Sequence, residues 1–483
     1  MISEVPPAFS RTSGCRDMPH AQNDVLEGYA AKYEKILSVS SEDLRDITEN
    51  FVKVLQEGLE KPDQTVPMIP TFVFGWPTGT EKGSYLALDL GGTNLRVCHV
   101  ELTGDRKFEI TQAKFRLTDE QKQEDGTKLF DFCAQCCKDF IGQRCNLSTA
   151  NLPLSLGFTF SYPTSQDRID HGKLIRWTKG FGNAGVEGND CAQLLRDALE
   201  RLNVPVKVVS IINDTTGTLM ASNYINPETK IACIFGTGCN AAYMETIGNV
   251  PKINHLGLPA DEHMAINCEY GAFDAFTHEY TKAVRTKYDE HIDLHSNKPH
   301  EQTYEKMIAG LYLGEIFRLI MLDLVDEGVL FLGQNTYKIE KPYVFDTAFL
   351  SLIESDPTDE LLTVTGLFMH FFGLETTEEE RNFLRKLAVM IGTRSARLSA
   401  CGIAAIVRKR ELLEDGCVVG CDGSLYSKYP HFAERLQQAL VDILGPKGSG
   451  IVTRQAEDGS GAGSAVIAAM TAARKAAGKY ADV

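Results

Sequence analysis

The chain has 483 residues, about three times an ordinary domain, so two or more lobes are expected. Apolar residues make up 43% and charged residues 24%, globular usage that excludes a disordered chain. Lys and Arg number 49 against 65 Asp and Glu, a net charge of −16, and so acidic a chain repels nucleic acid and anionic membranes.

The opening Met1-Ile2-Ser3-Glu4-Val5-Pro6-Pro7 has neither a basic nor an apolar region, so no signal peptide is expected. Residues up to 39 are weakly patterned. Ser40 or Ser41 then caps a helix with Leu44, Ile47, Phe51, Leu55 and Leu59 on one face. The segment 67–83, rich in Pro, Gly and Thr, reads as a loop at a lobe boundary. Strands over 85–90 and 95–102 enclose Gly91-Gly92-Thr93-Asn94, a hairpin with a glycine-rich tip. A helix over 128–141 carries Cys133, Cys136 and Cys137 on the face of Leu129, Phe130, Phe140 and Ile141. No second Cys/His pair completes a metal site there, so these thiols read as core.

A strand over 154–160, a helix over 191–202, a strand over 206–212 and a helix over 216–226 follow. Strand, glycine-rich turn and strand then return about 145 residues after the first hairpin: 231–235, Gly236-Thr237-Gly238-Cys239-Asn240, and 241–244. That spacing indicates two similar lobes, since solenoid periods run only from roughly 20 to 50 residues. Helices over 383–408, 432–444 and 464–477 and a strand over 417–420 complete the pattern. The apolar run 398–407 falls short of the roughly 20 residues that cross a bilayer. Flanked by Arg394, Arg397 and Arg408, it reads as a packed helix, and no membrane span is expected. Thirteen cysteines, an odd count without disulfide spacing, point to reduced intracellular thiols. Strands alternating with helices give α/β lobes with mixed sheets.

A phosphate needs several amide donors converging without side chains in the way, which paired glycines permit. At the first hairpin Thr93 and Asn94 add side-chain donors, Arg96 adds a cation, and Asp89 is suited to orient magnesium-bound water. One such hairpin alone is more often a plain turn. Gly236-Thr237-Gly238 repeats it, and two such turns from two lobes grip a polyphosphate from both sides. A third turn, Gly420-Cys421-Asp422-Gly423-Ser424, ends another strand. Near the C-terminus, Gly459, Gly461 and Gly463 open an alanine-rich helix, where close packing is the expected role. No Walker motif and no protein-kinase His-Arg-Asp or Asp-Phe-Gly occurs.

Asp214 ends an apolar strand just before a helix, where α/β proteins bind ligands. A helix N-cap is the bland use of such an Asp. Asn213 beside it, and the two phosphate-type turns around it, favour a proton acceptor in a spot where a helix N-terminus favours negative charge. Ser161 after a strand, Thr178 and Lys179 among aromatic residues, Glu269, and Gln302 with Glu305 one helical turn apart together offer the donors and acceptors that sugar hydroxyls require.

Leu88-Asp89-Leu90-Gly91-Gly92-Thr93-Asn94, Phe158-Thr159-Phe160-Ser161-Tyr162-Pro163, Arg176-Trp177-Thr178-Lys179-Gly180-Phe181, Ile212-Asn213-Asp214-Thr215-Thr216-Gly217, Phe235-Gly236-Thr237-Gly238 and Ile266-Asn267-Cys268-Glu269-Tyr270-Gly271 resemble the hexokinase family, its fungal members above all. The similarity runs in order from about Asp43 to Met470. The hairpins alone indicate only the wider superfamily of actin-like ATPases and sugar kinases. The resemblance implies an α/β, two-lobed actin-like ATPase (ribonuclease H-like) fold, with mixed sheets flanked by helices and a cleft between a small and a large lobe. On that plan residues 1–78 are a helical segment of the large lobe and 79–213 the small lobe. Residues 214–457 are the large lobe, and 458–483 a helix returning to the small one.

The resemblance also implies a hexokinase that moves the γ-phosphoryl group of MgATP to the 6-hydroxyl of glucose, and of fructose and mannose as well. The hexose contacts it implies are Ser161, Thr178, Lys179, Asn213, Asp214, Asn240, Glu269, Gln302 and Glu305. The nucleotide contacts are Asp89, Gly91, Gly92, Thr93, Asn94, Arg96 and Thr237, with Gly423, Ser424 and Thr393 on the adenosine side. Asp214 accepts the hydroxyl proton and Lys179 offsets charge on the transferring group. Magnesium is held mainly by ATP phosphates and water, with Asp89 acting through that water and no metal ligand supplied by the protein. A cytoplasmic monomer or homodimer is implied, with no nucleic-acid partner.

Two departures from the family pattern stand out. After Phe273-Asp274 the chain reads Ala275-Phe276-Thr277-His278-Glu279-Tyr280 where the family continues with Asn-Glu-His and an apolar Leu-Pro stretch, a change that bears on sugar affinity or subunit contacts. Cys239 replaces a small or β-branched residue and adds an oxidation site. The alternative is a catalytically weak, hexokinase-like sugar sensor or regulatory protein. A weaker one is an actin- or chaperone-type ATPase, which needs no sugar.

Overall fold

A computed structural model describes residues 18–92, 94–144, 153–177 and 180–479. Its strands are β1 (Ile69–Phe74), β2 (Lys82–Leu90), β3 (Asn94–Gly104), β4 (Lys107–Arg116), β5 (Leu154–Phe160), β6 (Thr164–Arg168), β7 (His171–Leu174), β8 (Val206–Ile212), β9 (Thr229–Phe235), β10 (Cys239–Thr246), β11 (His263–Asn267), β12 (Cys417–Asp422) and β13 (Ile451–Gln455).

Two sheets repeat one plan. In the order β4-β3-β2-β5-β8, the first pairs are antiparallel and those of β5 with β2 and β8 are parallel. In the order β11-β10-β9-β12-β13 the same sequence of directions recurs, with β1 added antiparallel to β11. Each glycine-rich turn thus joins the second and third strands of its sheet, beside a parallel strand. The inner strands β9, β10 and β12 are buried almost throughout, as sheets covered on both faces require. The edge strand β4 alternates exposed and half-buried positions.

Several elements differ from the sequence reading. The helix Met18–Leu37 lies where little pattern was expected, yet Leu26, Ala30, Tyr33 and Leu37 are buried at helical spacing. That narrow stripe packs on the long helix Glu378–Lys409, while Val25 and Ile36 remain exposed on the other faces. Part of the expected 67–83 loop is β1, where Pro70 is tolerated because the strand is at the sheet edge and its register shifts after that residue. The helix Ser41–Glu60 forms as expected, with a capping box between Ser40 and Asp43.

Buried side chains form two clusters, a smaller one on one face of the first sheet and a larger one that joins that sheet's other face to the second sheet. Cys133, Cys136 and Cys137 lie in the smaller one, and the cysteines among the described residues are buried and unbridged. Burial pushes the Cys239 thiol well above its ordinary range, so it resists oxidation, contrary to the sequence expectation.

Two helices join the sheets. Asp214–Ile225 lies on β9, β10 and β12, Gly459–Ala476 lies on β2, β5 and β8, and the two pack on each other. A Cβ on Gly463 would stand 1.9 Å from Gly217 O, and one on Gly459 2.2 Å from Thr218 Oγ1. The glycines therefore serve close packing, as the sequence suggested. A second fastening holds the helix 41–60: Lys252 Nζ donates to the carbonyls of Gly58, Pro67 and Met68 at 2.7, 2.6 and 2.6 Å. Burial pushes this ammonium down to about 8, so the three oxygens stand in for lost water. Lys252→Met is expected to lower stability by about 2 kcal/mol, because the buried carbonyls lose their donor. A thermal melt reads the change, and an unaltered midpoint would refute it.

Candidate active site

At the first turn Gly91 N–H donates to Asn94 O at 3.1 Å and Tyr162 Oη to Gly91 O at 3.0 Å. The turn is thus braced from the end of β5, and Asn94 is exposed at its rim. Thr93 lies outside the described residues. Asp89 and Arg96 face each other across β2 and β3. Arg96 reaches Asp458 at 2.7 Å and Asp89 at 3.4 Å, and also donates to Ser460. Ser460 Oγ in turn donates to Asp89 at 2.7 Å. Arg96 is therefore shared among carboxylates in this state.

The second turn closes through Gly236 N–H to Gly238 O at 3.0 Å. Gly310 and Leu311 donate their amides to the carbonyls of Gly236 and Thr237 at 2.8 and 3.2 Å, which leaves Thr237 exposed at the tip. Gly423, at φ 103, abuts this turn: a Cβ there would meet Phe235 O at 2.4 Å and Gly236 N at 2.8 Å, so glycine alone permits the contact. Ser424 is exposed beside it. Thr393 follows Gly392, where a Cβ would meet the Tyr429 ring at 2.5 Å, just beyond the short helix Ser424–Lys428.

Sugar-type residues gather directly behind the second turn. Cys239 N–H donates to Glu305 Oε2 at 2.9 Å. Asn240 Nδ2 donates to Asn267 Oδ1 at 2.7 Å, to Glu269 Oε1 at 3.2 Å and to Asn213 Oδ1 at 3.5 Å. Asn240 Oδ1 accepts from Glu269 N–H at 2.9 Å. Glu269 and Gln302 sit at φ 50 and 52, left-handed conformations, and the bonds to Asn240 hold that of Glu269 in place. A Cβ on Gly271 would touch both Gln302 Oε1 and Glu305 Cβ, at 2.6 and 3.1 Å. Asn213, Asn240, Glu269, Gln302 and Glu305 therefore form one continuous group. Ser161 is buried just past β5 in the other lobe. Thr178 and Lys179 lie outside the described residues.

Asn213, not Asp214, is the N-cap, its side chain accepting from Thr215 N–H at 2.8 Å. Asp214 is the first helical residue, half-buried, with Oδ1 accepting from Thr215 N–H at 2.7 Å and Thr215 Oγ1 at 3.2 Å. Asn213 thus holds the cap position, while Asp214 shares the Thr215 amide through Oδ1 alone. Asp422, to which the sequence reading gave no role, joins it. Burial raises its carboxyl; the neighbouring charge of Asp214 adds to this, while Gly423 N–H and Arg96 oppose it. Its signal was the Asp between two glycines at the end of an apolar strand.

A family model described as Hexokinase matches residues 29–224, and a second of the same description matches 230–470. Hexokinase-1 of Schizosaccharomyces pombe is 48% identical over 469 residues, covering 97% of this chain and 96% of the relative. Hexokinase-2 of Saccharomyces cerevisiae is 44% identical over 479 residues, covering 97% and 96%. The solved hexokinase from Schistosoma mansoni complexed with glucose superimposes with a TM-score of 0.83 at 34% identity, over 92% of this chain and 99% of that one.

Proposed function

The chain belongs to the hexokinase family and has its activity, ATP-dependent phosphorylation of a hexose; on that premise we propose that Asp214 accepts the proton of the 6-hydroxyl as it takes the γ-phosphoryl group. The observation that carries this assignment is continuity. Within Gly236–Asn240 the chain passes from a phosphate-type turn to Cys239, bonded to Glu305, and Asn240, bonded to Asn213 and Glu269, and Asp214 follows Asn213. A hydroxyl held by the amides and acids of this group lies between the carboxylate and the turn.

Asn213, Asn240, Glu269, Gln302 and Glu305 hold the hexose from the larger lobe, and Ser161, Thr178 and Lys179 from the smaller. Phosphoryl transfer with a loose transition state releases the proton late, so a weak base suffices. Lys179 offsets charge on the transferring group, and the amides of Gly92 and Gly238 with Thr93, Asn94 and Thr237 hold the phosphates, in turns that Gly91 and Gly236 close through their own amides. Gly423 and Ser424 face the adenosine, with Thr393 beyond them. Asp89, Asp422 and Asp458 outnumber the Arg96 guanidinium near them, with Asp214 beside Asp422, and this oxygen-rich set fits magnesium and its water. When bound with ATP, that ion neutralises phosphate charge, and Asp89 orients its water. Buried, unbridged cysteines suit a reducing compartment, hence a cytoplasmic enzyme, and no described helix is long and apolar enough to cross a membrane. The lobes divide near residues 79, 214 and 458, with 1–78 joined to the larger.

ADP release from MgATP across glucose, fructose and mannose tests the reading. Release that requires hexose is expected; release indifferent to sugar would return an ATPase, and sugar binding without ADP would return a sensor. Asn240→Ala is expected to raise the hexose KM about tenfold, the loss of roughly one hydrogen-bonded contact, with a smaller fall in kcat. A fall in kcat alone would remove Asn240 from sugar binding.

A further inference from the structure

The departing stretch after Asp274 is highly organised. Asp274 is buried and accepts the amides of Glu279, Tyr280 and Thr281 at 2.9, 3.1 and 2.8 Å, with the hydroxyls of Thr277 and Thr281. This holds Asp274, Phe276 and His278 at φ 60, 67 and 53 and turns His278 back toward His300. Phe276 N–H donates to His300 O at 2.9 Å, so the two histidine-bearing loops are joined by backbone as well.

His278 Nε2 lies 3.1 Å from His300 Nδ1, and Asp293 Oδ2 lies 3.5 Å from each. Three ligands around a tetrahedral zinc, at bonds of about 2.0–2.1 Å, stand roughly 3.3 Å apart. Asp293 is buried, while His300 is 46% exposed on its side chain, so one side of the triangle opens to solvent. We propose that His278 Nε2, His300 Nδ1 and Asp293 Oδ2 form a binding site for a transition-metal dication of the zinc class, with its fourth position taken by water.

The surroundings support it. His278 Nδ1 lies 3.5 Å from Thr303 Oγ1, whose hydroxyl donates to His300 O at 3.4 Å. A proton on Nδ1 therefore points at a hydroxyl oxygen and leaves Nε2 as a lone pair facing the triangle, the orientation a ligating histidine needs. Asp293 Oδ1 is occupied by Lys306 Nζ at 2.7 Å and His300 N–H at 2.9 Å, while Oδ2 accepts from Arg285 Nη2 at 3.0 Å and faces the histidines. Arg285 and Lys306 are balanced by Asp293 and Asp274, so the pocket is near neutral before the ion arrives. Two imidazoles and one carboxylate suit zinc, cobalt or nickel; magnesium and calcium take oxygen sets. The site is thereby distinct from the magnesium that accompanies the nucleotide.

The test uses the full chain, stripped with a chelator and titrated with zinc by calorimetry and with cobalt by visible absorption. One equivalent is expected, with the bands of tetrahedral cobalt, and excess magnesium does not compete. His278→Ala and His300→Ala should each weaken binding about tenfold or more. Zinc should raise the thermal midpoint of the parent and not of the variants. Half-exposed His300 also allows His300→Gln, and metal-free melts matching the parent confirm that each variant folds. Zinc uptake unchanged by both histidine substitutions, competition by magnesium, or no cobalt spectrum at about 100 μM would each overturn the site, since three-ligand zinc sites bind well below that.

Discussion

Asp214→Asn is expected to lower kcat for hexose phosphorylation by about 10²–10⁴, the usual worth of a positioned general base, while hexose binding changes little. The substitution keeps size and shape. An asparagine Oδ1 can still accept from Thr215 N–H and Thr215 Oγ1, now at 2.7 and 3.2 Å, and Asn213 continues to cap the helix. What is removed is the lone pair that takes the proton and one negative charge among Asp89, Asp422 and Asp458. Less repulsion of the phosphates should, if anything, tighten MgATP. The expected signature is therefore a fallen kcat with hexose and nucleotide affinities kept, read from coupled ADP release and a separate sugar titration. Turnover within about threefold of the parent, with sugar still bound, would strip Asp214 of the role. Asp422→Asn is the paired control: its carboxyl is raised by burial and by the Asp214 charge. Should that variant alone lose turnover, the base would be Asp422.

The duplicated hairpin was readable because glycine-rich turns between apolar runs are local signals, and the repeated strand order of the two sheets followed from it. The partners at each site were not readable in that way. Nothing in the sequence ties Cys239 to Glu305 or Ser460 to Asp89, because those contacts arise from residues 66 and 371 positions apart. Arg96 was read as a cation for phosphate, and only the fold reveals Asp458 and Asp89 beside it. The helix Met18–Leu37 escaped because its apolar stripe is narrow and gains its stability from the Glu378–Lys409 helix, a tertiary effect that propensity does not contain. The same holds for β1, whose Pro70 speaks against a strand until the edge position is known. His278 and His300 carry no shared motif; the fold of the stretch after Asp274 brings them together.

Gly463→Val is expected to destabilise the protein by about 3 kcal/mol, on the order of 10 °C in a thermal melt for lobes of this size. Intrinsic helix propensity argues the other way, since a glycine inside a helix is unfavourable by roughly 1 kcal/mol. Contact geometry decides the sign. A Cβ at residue 463 would lie 1.9 Å from Gly217 O and 2.6 Å from Gly217 Cα, and backbone inside a packed helix cannot swing aside as a long side chain does. The helices Asp214–Ile225 and Gly459–Ala476 must then move apart. Between them they carry Asp214, Ser460 and, just before the second, Asp458, so the separation also pulls Ser460 from Asp89 and shifts Asp214 against the first turn. Activity should fall even in the folded fraction, through both kcat and the KM for MgATP. Ala473→Val, on an exposed face of the same helix, controls for the added β-branch and should cost only a few tenths of a kcal/mol. A Gly463→Val protein melting within about 1 °C of the parent, well inside that control's range, would mean that the two helices do not pack through their glycines, and that the junction positioning Asp214 lies elsewhere.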